Sequence, residues 1–262
     1  MEYETLLFEV RDGVARITLN RPDAANSLNM EMARDFHAAA VRCDVDPDIR
    51  AVLMTGTGSM FCAGGDLKSF SAQETSLPAH LKEVTTFLHG GISRFSWMDP
   101  PVIAAVNGVA AGAGMSLVCS TDLAIAARSA VFTMAYTRAG LVPDGSSTYY
   151  LSRHVGLHRA MELALTNRVL TAEEACDWGI VNQVVDDEDL EEVAGDLARK
   201  LAAGPTASFG RTKRLIREGT AEGLENQMER ETRGIAAAAD SEDGREGVEA
   251  FLNKRKPEFS GR

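Results

Sequence analysis

The groups in this chain best suited to chemistry are backbone amides rather than side chains. Along Ala104-Ala105-Val106-Asn107-Gly108-Val109-Ala110-Ala111-Gly112-Ala113-Gly114-Met115-Ser116-Leu117, an apolar strand breaks into glycines and restarts with helical spacing. That pattern delivers unpaired N–H groups to a helix N-terminus beside a surface free of bulky side chains, which suits a developing negative charge on oxygen. A second glycine-rich strand end, Ala63-Gly64-Gly65-Asp66, can do the same. Two such donors on one substrate oxygen form an oxyanion hole worth roughly 3 kcal/mol per donor. From spacing alone, two tight turns where backbones pack closely explain the glycines equally well.

Other familiar patterns fail on single residues. Gly112-Ala113-Gly114 does not continue as a dinucleotide fingerprint, because Leu117 stands where a glycine is needed. No glycine loop leads into Gly-Lys-Ser/Thr, Tyr149 replaces the closing glycine of a nucleophile elbow after Gly145, and no His-Glu-x-x-His spacing occurs.

Composition narrows the class. The 262 residues are 45% hydrophobic and 25% charged, an ordinary globular balance. A net charge of -11 argues against a nucleic-acid partner, while a few local cations still suffice for an anionic small molecule. Cys43, Cys62, Cys119 and Cys176 show no paired spacing, so they read as reduced thiols of a cytoplasmic protein without a metal. Met1-Glu2-Tyr3-Glu4 is acidic, so no secretory leader is expected. The uncharged run Pro100–Thr121 reads as a buried strand–turn–helix and not as a membrane span.

The elements that must hold these amides follow from periodicity. Leu6–Val10 and Val14–Leu19 flank Asp12-Gly13 as a hairpin, and Asn29 caps a helix through about Cys43. Strands follow at 51–55, 102–106, 122–126, 131–132 and about 181–185. Ser69–Pro78 is polar and mixed, and is expected to be a mobile loop beside the pocket. Leu81–Trp97 is helical, with Val84, Leu88, Ile92 and Phe95 at core spacing. A loop over 140–147 leads into a helix near Thr148–His154. Helices are expected at 159–166 and 172–178, and beyond Asp187 at 190–203, 206–217, 223–239 and 243–255. The shift to helix suggests an α/β core over residues 1–200 and a helical region over 201–262.

Taken together, Phe61-Cys62-Ala63-Gly64-Gly65-Asp66-Leu67-Lys68, the glycine stretch ending at Gly114, and Thr121-Asp122-Leu123-Ala124-Ile125-Ala126 resemble the crotonase (enoyl-CoA hydratase/isomerase) superfamily. Asn20-Arg21-Pro22, Leu165-Thr166-Asn167-Arg168 and Ala175–Val181 fit as well, so the resemblance covers essentially the whole chain. It implies a spiral of ββα units and a C-terminal helical part that builds homo-trimers or hexamers. It also implies an acyl-CoA thioester substrate, with coenzyme A as part of the substrate and no other cofactor.

The resemblance assigns the oxyanion donors to the N–H groups of Gly65 and Ala113, the latter standing where the family usually has glycine. It places Ala24, Ala63 and Lys68 around the CoA moiety, with Phe251 and Lys254 completing that site from a neighbouring subunit. Hydratases of the family carry two glutamates at positions that here hold Ser116 and Tyr136, so hydration is disfavoured. The carboxylate at Asp144, in Leu141-Val142-Pro143-Asp144-Gly145, resembles that of phenylacetate-pathway isomerases and of 4-chlorobenzoyl-CoA dehalogenases. It is a proton shuttle in the first group and a nucleophile in the second, and a plain helix cap remains open. His89 falls where the dehalogenases keep a water-activating histidine, and Leu88 and Tyr136 fall on their aryl pocket. The leading expectation is an enoyl-CoA isomerase. The alternatives are a hydratase, a hydrolase or dehalogenase using Asp144 and His89, and a non-catalytic acyl-CoA binder.

Overall fold

The computed structural model describes residues 2–72 and 76–262. Strands β1 (Leu6–Arg11) and β2 (Val14–Leu19) form the expected hairpin, with Leu6 opposite Leu19. Asp12 and Gly13 both take left-handed backbone, at φ 52° and 76°, which matches the twist of the flanking strands. Helix α1 (Met30–Val45) starts where Asn29 accepts the Met32 N–H through its side chain.

The chain then repeats one unit three times. β3 (Ala51–Gly56) and β4 (Met60–Cys62) precede α2 (Leu67–Ser71) and α3 (Leu77–Trp97). β5 (Val102–Val106) and β6 (Val109–Ala111) precede α4 (Ala113–Ser120). β7 (Leu123–Ala127) and β8 (Val131–Thr133) precede α5 (Ser147–Val155) and α6 (Leu157–Thr166). In each unit the first strand joins a six-stranded sheet and the second joins a four-stranded one, ordered β4-β6-β8 and then β9 (Leu170–Thr171). The larger sheet runs β1-β2-β3-β5-β7 and ends on β10 (Gln183–Val185), which follows α7 (Ala172–Asp177). This is the spiral of ββα units that the resemblance implies.

Strands β3 and β5 are buried along their whole length, as parallel strands covered on both faces must be. Val52, Met54, Val102, Ala104 and Val106 face the main core with Phe36 and Phe61. Leu53, Ile103, Ala105 and Ile125 face the other side, where α8 (Leu190–Ala202) lays down Leu190, Ala194, Ala198 and Ala202. Their spacing of four residues is one stripe of a helix.

Three helices follow: α9 (Thr206–Gly219), α10 (Leu224–Ala239) and α11 (Glu242–Leu252). α9 is pinned to the core by charge. Lys213 Nζ lies 2.7 Å from Asp122 Oδ2 and donates to the carbonyls of Phe95 (3.2 Å) and Pro100 (3.0 Å). Arg217 meets the other Asp122 oxygen at 2.7 Å. α10 buries none of its residues and exposes Leu224, Met228 and Ile235. No helix among the described residues is long and apolar enough to cross a membrane.

The loop expected over Ser69–Pro78 needs correction at both ends. Asp66 Oδ1 accepts the Ser69 N–H at 3.0 Å and starts α2, and Pro78 sits in the first turn of α3, where its missing N–H does no harm. Residues 73–75 lie outside the described residues. The short strands β6 and β9 add to the expected elements.

Candidate active site

The first amide comes from the turn after β4. The Leu28 N–H donates to Gly64 O at 2.7 Å and the Asp66 N–H donates to Leu28 O at 2.9 Å. These bonds use the groups on either side of Gly65, so in extended backbone its own N–H points away, toward a cavity that it lines. Asp66 locks the turn: beyond capping α2, its Oδ2 receives Arg21 Nη2 at 2.8 Å, and Arg21 also reaches Ser27 O. Burial pushes the Asp66 carboxyl up, but the Ser69 N–H and Arg21 outweigh it and hold the group below its ordinary value.

The second amide opens α4. Gly112 caps this helix at φ 52° and ψ -120°, a conformation closed to residues with a Cβ, so Ala113 is the first helical residue. Its N–H is one of the donors that no helix can satisfy internally. Every residue of α4 is buried. The two turns touch, since a Cβ on Gly112 would lie 3.4 Å from Gly64 Cα and one on Gly114 would lie 2.2 Å from Cys62 O. That close approach explains the glycines of both strand ends. Neither the Gly65 nor the Ala113 N–H donates to another backbone group among the described residues.

A carboxylate lines the same cavity. A 3-10 turn at Tyr136–Ala139 and the loop before α5 bring Tyr136 and Asp144 together, with Tyr136 donating its O–H to Asp144 Oδ1 at 2.7 Å. Ser116, on α4, stands 2.9 Å from the same hydroxyl. Tyr136 has one proton and gives it to the charged partner, so Ser116 is the donor in the Ser116–Tyr136 contact. Burial first, and then the charge of Asp144, raise the Tyr136 hydroxyl far above its ordinary value, so it remains a donor. Asp144 Oδ2 takes no hydrogen bond among the described residues. The helix-cap reading of Asp144 fails on the same geometry. Its carbonyl, not its carboxylate, receives the Ser147 N–H at 3.1 Å and Ser147 Oγ at 2.8 Å.

The cavity, of about 310 Å³, is lined by Gly65, Ala113, Tyr136 and Asp144 with Leu28, Phe70, Leu81, Val84, Leu88 and Leu141. Its sides are mostly carbon. A larger hollow of about 450 Å³ beside the main sheet is lined by Arg16 and Glu191, which are already paired with each other.

The other expected site residues separate. Leu88, Tyr136 and Ala63 line the cavity. Ser116 and His89 were expected there, and neither is. Ser116 is fully buried behind the wall, within 3.1 Å of the carbonyls of Gly112 and Asp144. His89 lies on the exposed shoulder of α3, its Nε2 accepting the Gly145 N–H at 3.1 Å. The Ala24–Ala25 turn adjoins Ala63, whose N–H donates to Ala25 O at 3.1 Å, and Lys68 is exposed on α2. Phe251 is 83% exposed near the end of α11 and Lys254 lies just beyond, both away from the cavity wall of their own chain. The sequence reading missed Leu28, Leu141 and Val142. The apolar run Leu141-Val142 before Pro143 was the available signal.

The three buried cysteines offer no nucleophile. Burial pushes the Cys62 thiol up to about 11 and those of Cys43 and Cys119 up to about 12, so they stay protonated at neutral pH. Among the described residues no group of three or more His, Cys, Asp or Glu side chains could hold a metal ion.

Comparison with known proteins gives the family and agrees with the fold. The family model for enoyl-CoA hydratase/isomerase matches residues 9–262. A 1,2-epoxyphenylacetyl-CoA isomerase from Escherichia coli (strain K12) is 44% identical over 260 residues, covering 99% of each chain. A 4-chlorobenzoyl coenzyme A dehalogenase from Arthrobacter sp. is 37% identical over 231 residues, covering 88% of this chain and 84% of its own. The crystal structure of an enoyl-CoA hydratase from Polaromonas sp. JS666 superposes with a TM-score of 0.92 at 33% identity, covering 97% of this chain and 99% of that one. With a matching family model over nearly its whole length and the same fold, the chain belongs to the enoyl-CoA hydratase/isomerase family.

Proposed function

We propose that this protein isomerises an acyl-CoA thioester by moving a carbon–carbon double bond, with Asp144 as a one-base proton shuttle. The observation that carries this reading is a carboxylate, alone among the described residues of the cavity lining, that shares that lining with Gly65 and Ala113 and has one oxygen held by Tyr136. The thioester oxygen accepts from the Gly65 and Ala113 N–H groups. Asp144 takes a proton from the carbon between carbonyl and double bond, leaving a dienolate whose charge rests on that oxygen. The same proton returns to the far carbon, so the electron pair shifts and nothing is added or lost. Hydration needs a group to orient and deprotonate water, and Ser116 and Tyr136 stand where the family keeps its glutamates. The name of the 44% identical relative, an acyl-CoA isomerase, supports the same class.

The carbon-lined cavity fits an apolar acyl group. Coenzyme A enters as part of the substrate, with Ala24, Ala63 and Lys68 at its near side. Phe251 and Lys254 belong to the CoA site of a neighbouring copy in a homo-trimer or hexamer. The exposed Phe251 and the stripe Leu224, Met228 and Ile235 support such an assembly.

The test is conversion of 3-enoyl-CoA thioesters in water enriched in oxygen-18. The expected product is the 2-enoyl isomer without label; label in the product, or release of free CoA, would overturn the reading. A second variant isolates the amide. Ala113→Pro deletes one donor at a first helical position, which proline tolerates. It is expected to lower kcat by about 10²–10³-fold, the usual loss for one oxyanion donor, while circular dichroism stays unchanged.

A further inference from the structure

We infer that His89 is a positioning residue, whose Nε2 fixes the turn carrying Asp144 by accepting the Gly145 N–H, and that it is not a base for water. The inference rests on Asp144 being the reacting group. On α3 the cavity is met by Leu81, Val84, Thr85 and Leu88, at the spacing of one helical face. His89 is the next residue, about 100° round the helix from Leu88 and at the edge of that face beyond Thr85, and it does not line the cavity. It reaches round the shoulder of the helix to the loop instead.

The bond settles which nitrogen does what. A neutral imidazole has one N–H and one lone pair. Nε2 accepts from Gly145 at 3.1 Å, so the lone pair is occupied and the proton sits on Nδ1. For Nε2 to take a proton from water, the Gly145 bond must first break, and the ring does not line the cavity where that water would stand.

The turn needs the anchor. Gly145 and Ser146 are consecutive left-handed residues, at φ 58° and 65°, a backbone that strains Ser146 because it carries a Cβ. Gly145 is wedged between two helices, since a Cβ there would lie 3.0 Å from Ser116 Cβ and 3.7 Å from Ile92 Cδ1. Asp144 is therefore held at three points. Tyr136 holds its carboxylate, Ser147 holds its carbonyl, and His89 holds the next amide. Without His89 the Asp144–Gly145 peptide keeps only its carbonyl contacts to Ser147, its N–H loses its partner, and Asp144 Oδ2 shifts with the loosened turn. Misplacement of a reacting group by about 1 Å costs on the order of 10²-fold in rate.

The experiment compares His89→Leu, which removes the acceptor, with His89→Gln, whose amide oxygen can take over from Nε2. For His89→Leu we expect kcat on the converted thioester to fall about 10–100-fold, with affinity for the saturated acyl-CoA within about threefold. For His89→Gln we expect most of the lost kcat to return. In the unaltered protein, the nitrogen-15 spectrum of His89 should show a protonated Nδ1 and an unprotonated Nε2, a readout independent of turnover. Wild-type kcat in His89→Leu, equal losses in both variants, or a protonated Nε2 at neutral pH would each overturn the inference. Oxygen-18 incorporation that both variants abolish would make His89 a water-activating base, and would overturn the inference together with the isomerase reading. Rescue by Gln alongside unlabelled product that is not the expected isomer would sink only the reaction class.

Discussion

Replacing Asp144 with Asn is expected to lower isomerisation by about 10²–10⁴-fold, the range that a positioned proton-transfer group contributes. The change keeps the shape of the side chain, and the Asn oxygen still accepts the Tyr136 O–H in place of the carboxylate oxygen at 2.7 Å. What disappears is the oxygen able to take a proton from carbon. An amide donates where Oδ2 accepted, so the paired amides of Gly65 and Ala113 still hold the thioester while no dienolate forms. Stopped-turnover assays should therefore show a collapse of kcat with saturated acyl-CoA binding within a few-fold of wild type. Undiminished kcat would remove Asp144 from the chemistry.

The largest effect on stability is expected at Asp122, far from any substrate. Asp122→Ala should destabilise the fold by about 3–5 kcal/mol, the usual loss when one member of a buried ion pair is removed. Both partners are nearly enclosed, with Lys213 8% and Asp122 14% exposed at their side chains. The loss also strips the Val102 N–H of its acceptor at 2.8 Å and leaves Lys213 beside Arg217 with nothing between them. Adding Lys213→Met should recover part of the loss, because a buried hydrophobe carries no unpaired charge. Burial already outweighs Asp122 and holds the Lys213 ammonium below its ordinary value of 10.5. Removing Asp122 lowers it further and favours the neutral amine in the folded state. The stability deficit of Asp122→Ala should then shrink as pH rises toward 10.5, where the unfolded chain loses the same proton. Urea unfolding at several pH values measures both effects.

Local signals read true where the chain itself makes the partner. Asn29 caps the helix that follows it, and Asp12-Gly13 closes the hairpin around it. The glycines of the two strand ends were legible as places where backbones approach, although only the structure shows that they approach each other. Elements and roles defined by distant partners were not legible. β6 and β9 are three and two residues long and exist through pairing with neighbouring strands, which no periodicity over so short a run can show. Ser69–Pro78 misled because its polar composition masked two starts, an Asp cap at 66 and a proline in the first turn at 78. Asp144 resembles a helix cap in sequence, since only the left-handed turn at Gly145 and Ser146 frees its side chain toward Tyr136. His89 faces a loop 56 residues away, so its direction was set by packing and not by its own helix.

The burial of α4 has one more meaning. Helix termini at protein surfaces attract charge through a shell of water that must turn as the charge grows, and the turning consumes much of the attraction. This eight-residue segment has no such shell along its flanks, since each of its residues is enclosed. Its far end is tied down as well, with the Cys119 carbonyl 2.9 Å from His154 Nε2. On the proposed isomerase reading, the partial positive charge at Ala113 is thus already oriented before a substrate arrives, and little reorganisation energy remains to be supplied when an enolate forms.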